Sequence, residues 1–111
     1  NLVGTTGDDV IAGLGGNDLI RGRGGNDIIC GNEGNDEILG QNGDDLIGGG
    51  PGNDLLKGGK GQDGLEGNAG DDDLRGNDDN DDLIGGPGDD ACNGNTGDDT
   101  VDSCETVRNI P

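Results

Sequence analysis

The chain contains no Phe, Tyr, Trp, His or Met, and six Lys and Arg stand against 25 Asp and Glu. Each absence excludes something. With no aromatic residue and only 25% hydrophobic residues, an ordinary core cannot offset roughly 1–2 kcal/mol per residue of backbone entropy. Without His or Tyr, and with Ser103 as the single serine and no base beside it in any motif, the constellations of nucleophilic and acid–base catalysis are missing. An enzyme is not expected on that ground. The formal charge of -19 makes nucleic acid and anionic membrane surfaces poor partners. No apolar run approaches the roughly 20 residues that span a bilayer, so membrane insertion is not expected. The chain starts at Asn1 rather than Met and carries no signal-peptide pattern, which suits a processed secreted protein or an excised domain, of a length for one domain.

What is plentiful is glycine, 28 residues of it, together with aspartate. Such a composition alone reads as disorder. The register argues otherwise. Asp recurs at 9, 18, 27, 36, 45, 54, 63, 72, 81, 90 and 99, a nine-residue period held without an insertion. Two residues before each stands Gly7, Gly16, Gly25, Gly34, Gly43, Gly52, Gly61, Gly70, Gly88 or Gly97, and only Asp79 breaks the column. Two residues after each comes Ile11, Ile20, Ile29, Ile38, Ile47, Leu56, Leu65, Leu74, Leu83, Cys92 or Val101, a column that Leu2 and Ile110 extend at both ends. Between the Gly and the Asp the residue is always Asn, Asp or Gln. Low-complexity disorder has no reason to keep such columns.

Each unit therefore reads as a tight turn, where Gly and Asn or Asp supply positive φ and side-chain bonds, followed by a short strand with one side chain inward. Stacked coils would join the inward residues into two aliphatic ladders. The expected fold is all-β: a parallel β-roll or β-solenoid with two nonapeptide units per coil of 18 residues and about six coils. At the usual strand spacing the rod would be about 30 Å long.

Stretches such as GGPGNDLLK (Gly49 to Lys57) and GGKGQDGLE (Gly58 to Glu66) resemble the nonapeptide G-G-x-G-x-D-x-U-x of the calcium-binding RTX β-rolls. The resemblance spans residues 4 to 105 or so. Most copies depart at the second position, which is Leu14, Arg23, Asn32, Gln41, Asn68, Asn77 or Asn95. In the family that position lends its carbonyl, so the change should be tolerated. The resemblance implies one calcium-binding β-roll over residues 1–105, with residues 106–111 as a C-terminal capping tail.

It also implies the ligands. Ca²⁺ takes six to eight oxygens and accepts carboxylates and peptide carbonyls alike, so turns one coil apart would each give one Asp carboxylate and two carbonyls. The carboxylates are those of Asp9, Asp18, Asp27, Asp36, Asp45, Asp54, Asp63, Asp72, Asp81, Asp90 and Asp99. The carbonyls come from Gly7, Gly16, Gly25, Gly34, Gly43, Gly52, Gly61 and Gly70, and from Gly22, Gly31, Gly40, Gly49, Gly58, Gly67, Gly76, Gly85 and Gly94. One such site would use Asn32 and Gly34 with Asp36, closed by Gly49 and Pro51 with Asp54. Paired 18 apart, the Asp residues give up to about nine Ca²⁺, whose charge nearly cancels the -19 of the chain. Folding on calcium, after export to the extracellular space, is the expected behaviour.

Four local features remain. The turn GNDDND (Gly76 to Asp81) carries Asp79 in place of Gly; it either binds calcium more loosely or adopts the turn at little cost. Cys92 lies in the inward column and Cys104 in the terminal DSCETVRNIP. A disulfide between them would cap the open end, with two buried thiols as the alternative. Cys30 is on an outward position, where a partner outside the chain, another copy or a free thiol all fit. Finally, Val10, Ile28 and Leu46, flanked by Ala12, Cys30 and Gly48, form an apolar outward strip, which is either a docking surface or ordinary exposed strand residues. Together with the open coil ends, it leaves two routes to self-association. A calcium-dependent structural module leads this reading, and a self-assembling or adhesion protein follows it. Ice binding would need a Thr column, and the outward positions offer only Thr100.

Overall fold

A computed structural model of the chain describes residues 1–108. Glycine turns and three-residue apolar segments alternate, and they form strands β1 (Leu2–Val3), β2 (Val10–Ala12), β3 (Leu19–Arg21), β4 (Ile28–Cys30), β5 (Glu37–Asn42), β6 (Leu46–Gly48), β7 (Leu55–Lys60), β8 (Gly64–Glu66), β9 (Asp73–Asn77), β10 (Asp82–Ile84), β11 (Ala91–Asn93), β12 (Thr100–Asp102) and β13 (Thr106–Arg108). Odd strands build one sheet in the order β1-β3-β5-β7-β9-β11-β13 and even strands build the other from β2 to β12. Every pairing is parallel, and through most of the rod the partner lies one coil of 18 residues away, as in Ile20 with Ile38 and Ile38 with Leu56. This is the all-β solenoid of about six turns that the nine-residue period predicts.

The core is one side chain per strand. Ile20, Ile29, Ile38, Ile47, Leu56, Leu65, Leu74, Leu83 and Cys92 are buried, while Leu2, Ile11, Val101 and Cys104 pack against them at the ends. Their neighbours in each strand face outward, because successive side chains of a strand point to opposite sides. The two ladders lie between the sheets, and the rod measures 32 × 26 × 13 Å.

Two features depart from the simple repeat. Strands β5, β7 and β9 run on into their turns, where Gln41 pairs with Gly59 and Gly59 with Asn77. At the C-terminal end the register shifts, and Val107, 47% exposed, stands in line with the inward column. Val107 pairs with Cys92 because the last coil is three residues shorter than the others, and Ile110 lies outside the described residues. The segment expected as a capping tail thus begins with a strand, β13, that completes the larger sheet.

The turns explain the rest of the pattern. The fourth position of the repeat is left-handed, from Gly16 at φ 90° to Gly97 at φ 110°, and Asp79 takes the same conformation at φ 71°. At the irregular turn Asp79 takes the geometry of the glycine it replaces, and its carboxylate accepts from the Gly61 N–H at 3.0 Å. The second position is left-handed as well, including Leu14 at φ 69° and Arg23 at φ 74°. Asn tolerates that region better than Leu or Arg. The Asn or Asp before each motif Asp also acquires a reason. Asn35 N–H donates to Asn17 Oδ1, and Asn53 N–H to Asn35 Oδ1, at 2.7 and 2.8 Å, so these side chains form a ladder of acceptors that staples coil to coil.

Candidate metal centre

Each motif Asp sits where a turn enters a strand, and its backbone and side chain belong to two different coils. The Asp36 N–H donates to Asp54 Oδ1 at 2.7 Å, and the Asp54 N–H donates to Asp72 Oδ1 at 2.8 Å. The carbonyls run the other way, with Asp36 O accepting from Leu55 N–H at 2.9 Å. This relay uses one carboxylate oxygen per residue. The second is left over. In Asp18, Asp27, Asp36, Asp45, Asp54, Asp63, Asp72, Asp81, Asp90 and Asp99, Oδ2 is buried and has no hydrogen-bond partner. From Asp27 to Asp90 these aspartates are 1–3% exposed. Buried carboxylate oxygens without donors are costly, and ten in one small domain is far outside ordinary protein behaviour.

The orphaned oxygens face carbonyls. A Cβ placed on Gly31 would lie 2.5 Å from Asp36 Oδ2 and 2.8 Å from the Gly49 carbonyl oxygen. The same convergence recurs at Gly22, with Asp27 Oδ2 at 2.6 Å and Gly40 O at 2.8 Å. Glycine at the first motif position therefore leaves room between oxygens, and any side chain would fill it. Across the turn, a Cβ on the glycines one coil on, Gly50 and Gly52, would first meet the carbonyl oxygens of Asn32 and Gly34. The four residues expected to share a site with Asp36 and Asp54 by their carbonyls, Asn32, Gly34, Gly49 and Pro51, lie in these two stacked turns. Among the described residues no three His, Cys, Asp or Glu cluster as a metal cage. The donor set is one of carboxylates interleaved with carbonyls, all oxygen, which suits a hard cation such as Ca²⁺ and not a thiolate- or imidazole-seeking metal.

Electrostatics record the same deficit. Burial raises the carboxyls of Asp45, Asp72 and Asp81 to about 7, that of Asp54 to about 6 and that of Asp63 to about 8. The backbone N–H bond to each pulls the other way, and for Asp45, Asp54, Asp63 and Asp72 the Asp of the preceding coil adds repulsion; for Asp81 the added repulsion comes from Asp99. Asp36, Asp90 and Asp99 are raised for the same first reason. A bound cation between the coils would reverse this balance.

The N-terminal turn stands apart. Asp9 Oδ2 accepts from Thr5 N–H at 2.6 Å and from Thr5 Oγ1 at 3.0 Å, and Thr5 Oγ1 in turn accepts from Gly7 N–H at 3.1 Å. Asp9 is thus the one motif Asp whose second oxygen is already partnered, and Gly7 the one turn glycine of its column without a left-handed φ. Sequence reading had grouped both with the rest. The signal was present in Thr5, which replaces the residue that elsewhere turns left-handed.

Cys92 and Cys104 are joined by a disulfide, their Cα atoms 6.0 Å apart, and Cys30 is a free, exposed cysteine. On the face of the smaller sheet Val10, Ile28 and Leu46 are 82%, 47% and 58% exposed. Ile28, Cys30, Leu46 and Gly48 line a shallow depression there, bounded by Glu66 and Asn68.

No curated protein matches the chain. A family model does: the RTX calcium-binding nonapeptide repeat matches in four overlapping copies, at residues 3–38, 31–65, 39–74 and 66–101. With the nine-residue register, the paired parallel sheets and the oxygen-lined turns in view, the chain belongs to the RTX calcium-binding nonapeptide repeat family.

Proposed function

We propose that the protein is a secreted structural module whose folding is driven by calcium bound between stacked turns. The observation that carries this reading is the set of ten buried Oδ2 atoms without a donor. A fold that buries so many charged oxygens, with a core of one apolar residue per strand, needs a counter-charge that the six Lys and Arg do not supply. Calcium supplies it when bound, and since no such site exists in an extended chain, its binding free energy becomes folding free energy. The motif aspartates from Asp18 to Asp99, with the glycine carbonyls that face them, are the proposed ligands. Asp9, held by Thr5, contributes less. Export before folding follows, because millimolar calcium is available outside cells. The Cys92–Cys104 disulfide supports the same oxidising compartment.

Far-ultraviolet circular dichroism in chelator and in millimolar calcium tests the reading. The spectrum should change from coil to β on adding calcium, and magnesium should substitute poorly because it demands small octahedral sites. A β spectrum that persists at neutral pH in excess chelator would show that the fold does not depend on the ion.

A second reading, self-assembly, is favoured by one observation: Val10, Ile28 and Leu46 form an exposed apolar row on a chain that is otherwise strongly acidic. Two copies can approach through that row with less charge repulsion than through any turn face.

A further inference from the structure

The last coil breaks the period, yet it keeps the chemistry of the turns. In the preceding coils the N–H of a motif Asp donates to the carboxylate 18 residues on, as Asp72 does to Asp90 at 2.8 Å and Asp81 to Asp99 at 2.7 Å. For Asp90 that place in the sequence is Arg108, which has no carboxylate to offer. The bond is made instead to Glu105 Oε1, at 2.9 Å and a separation of 15 residues. The backbone follows suit. Asp90 O accepts from Thr106 N–H at 3.0 Å, as Asp81 O accepts from Thr100 N–H at 2.9 Å. Glu105 therefore occupies the motif-Asp position of a coil shortened by three residues.

The carbonyl is replaced as well. A Cβ on Gly85 would meet Asp90 Oδ2 at 2.7 Å and, closer still, the carbonyl oxygen of Ser103. At Gly31 the same two places are taken by Asp36 Oδ2 and the Gly49 carbonyl. Ser103 reaches this position by adopting φ 55°, in the left-handed region. Asp90 is 1% exposed and its Oδ2 has no partner, so a buried unpartnered oxygen points into the gap between the two turns.

Cys104 lies between Ser103 and Glu105, and it is bonded to Cys92, two residues beyond Asp90. The disulfide thus ties together the two segments that carry the oxygens. We propose that Asp90, the Ser103 carbonyl and Glu105 form a terminal divalent-cation site, in which Glu105 serves as the motif aspartate and the Cys92–Cys104 bond holds the shortened turn in register. This rests on the calcium reading of the repeats. Its consequence is a redox-linked end: the last ion is held while the disulfide is intact and released when it is reduced.

Calcium is the probe. Bound calcium per chain is measured by equilibrium dialysis and elemental analysis for the full-length protein, for Glu105→Gln and for Glu33→Gln. The amide of Glu105→Gln keeps an oxygen for the Asp90 N–H while removing the charge. Glu33 is exposed on a turn and controls for the loss of one charge. The expected result is one calcium fewer in Glu105→Gln and no change in Glu33→Gln. Cys104→Ser should lose the same single ion, with no further loss when the two substitutions are combined. By linkage, calcium should make the disulfide harder to reduce at equilibrium, and more so in the unaltered protein than in Glu105→Gln. Equal stoichiometry in Glu105→Gln and Glu33→Gln, or loss of several ions from Glu105→Gln, would overturn the terminal site while leaving the repeats as calcium sites. Absence of calcium binding by the unaltered protein would instead overturn the reading of the repeats, and the terminal site with it.

Discussion

If calcium serves to neutralise buried carboxylates, protons should do part of the same work. The carboxyl of Asp54 is raised by burial from 3.8 to about 6 in the fold. A raised folded-state pKa contributes stability that is fully present below the unfolded value and is lost as pH rises through the folded one. Across Asp54, Asp45, Asp72, Asp81 and Asp63, with folded values of about 6, 7, 7, 7 and 8, the calcium-free fold should gain stability as pH falls from about 8 towards 4. For Asp54 alone, the rise from 3.8 to about 6 corresponds to at most about 3 kcal/mol, and roughly half of that after screening by water at the turns. Asp54→Asn isolates the effect. Its amide oxygen can accept from Asp36 N–H as Oδ1 does at 2.7 Å, and its NH₂ can donate towards the Gly67 carbonyl, which lies with Oδ2 against Gly49. The substitution should therefore make the calcium-free chain easier to fold, raising the pH midpoint of β formation in chelator, and should also weaken calcium-induced folding by removing a ligand. The assay is a pair of circular dichroism titrations, one of pH in chelator and one of calcium at neutral pH. Movement of both midpoints towards weaker folding, or a calcium-free chain that is less ordered at pH 5 than at pH 8, would refute the argument that buried charge is what keeps the chain unfolded.

Leu14→Gly should stabilise the calcium-loaded fold by about 1 kcal/mol, because Leu14 holds φ 69° with an exposed side chain and the left-handed region penalises a Cβ; Gly50→Leu should do the opposite and by more, since its Cβ would lie 2.5 Å from the Asn32 carbonyl oxygen. Denaturant midpoints in calcium measure both. Ile28→Lys should abolish association through the Val10, Ile28, Leu46 row and leave end-to-end stacking intact, as read by light scattering at high protein concentration with calcium. A monomeric mass for the unaltered protein under those conditions would dismiss both routes.

How much of this was legible in the sequence depends on whether a residue acts within its repeat or across coils. The inward column from Ile11 to Val101 and the turn conformation at Gly16 and its successors are local consequences of the period, and they could be read directly. The Asn and Asp preceding the motif Asp were visible as a column without a cause. Their bonds run between residues 18 apart, such as Asn35 to Asn17, and only stacking reveals which side chain serves which coil. The left-handed backbone at Leu14 and Arg23 was concealed for a different reason. Turn geometry is imposed by the neighbouring coils, and it overrides the preference of the residue placed there.

The two ends show where a periodic argument must fail and why function collects there. A repeat predicts its interior because each coil is bounded by copies of itself, whereas a terminal coil has one neighbour and must satisfy its remaining groups by other means. Thr5 does this at the start by giving Asp9 two donors, so that the first carboxylate is completed within its own turn. Glu105 does it at the finish by reaching back to Asp90 across a shortened loop. Its extra methylene over Asp extends its reach, and the disulfide beside it fixes the backbone from which it reaches. In sequence Glu105 lies six residues past Asp99, off the nine-residue grid, and no column could have included it. What identifies it is the Asp90 N–H, which meets no carboxylate 18 residues on and is satisfied by Glu105 instead. The two ends are thereby unlike: the first coil is closed by a neutral threonine that leaves Asp9 without an orphaned oxygen, and the last is closed by a charged group over one. Any ion-dependent change in the length of the ordered rod should therefore begin at the C-terminal coil.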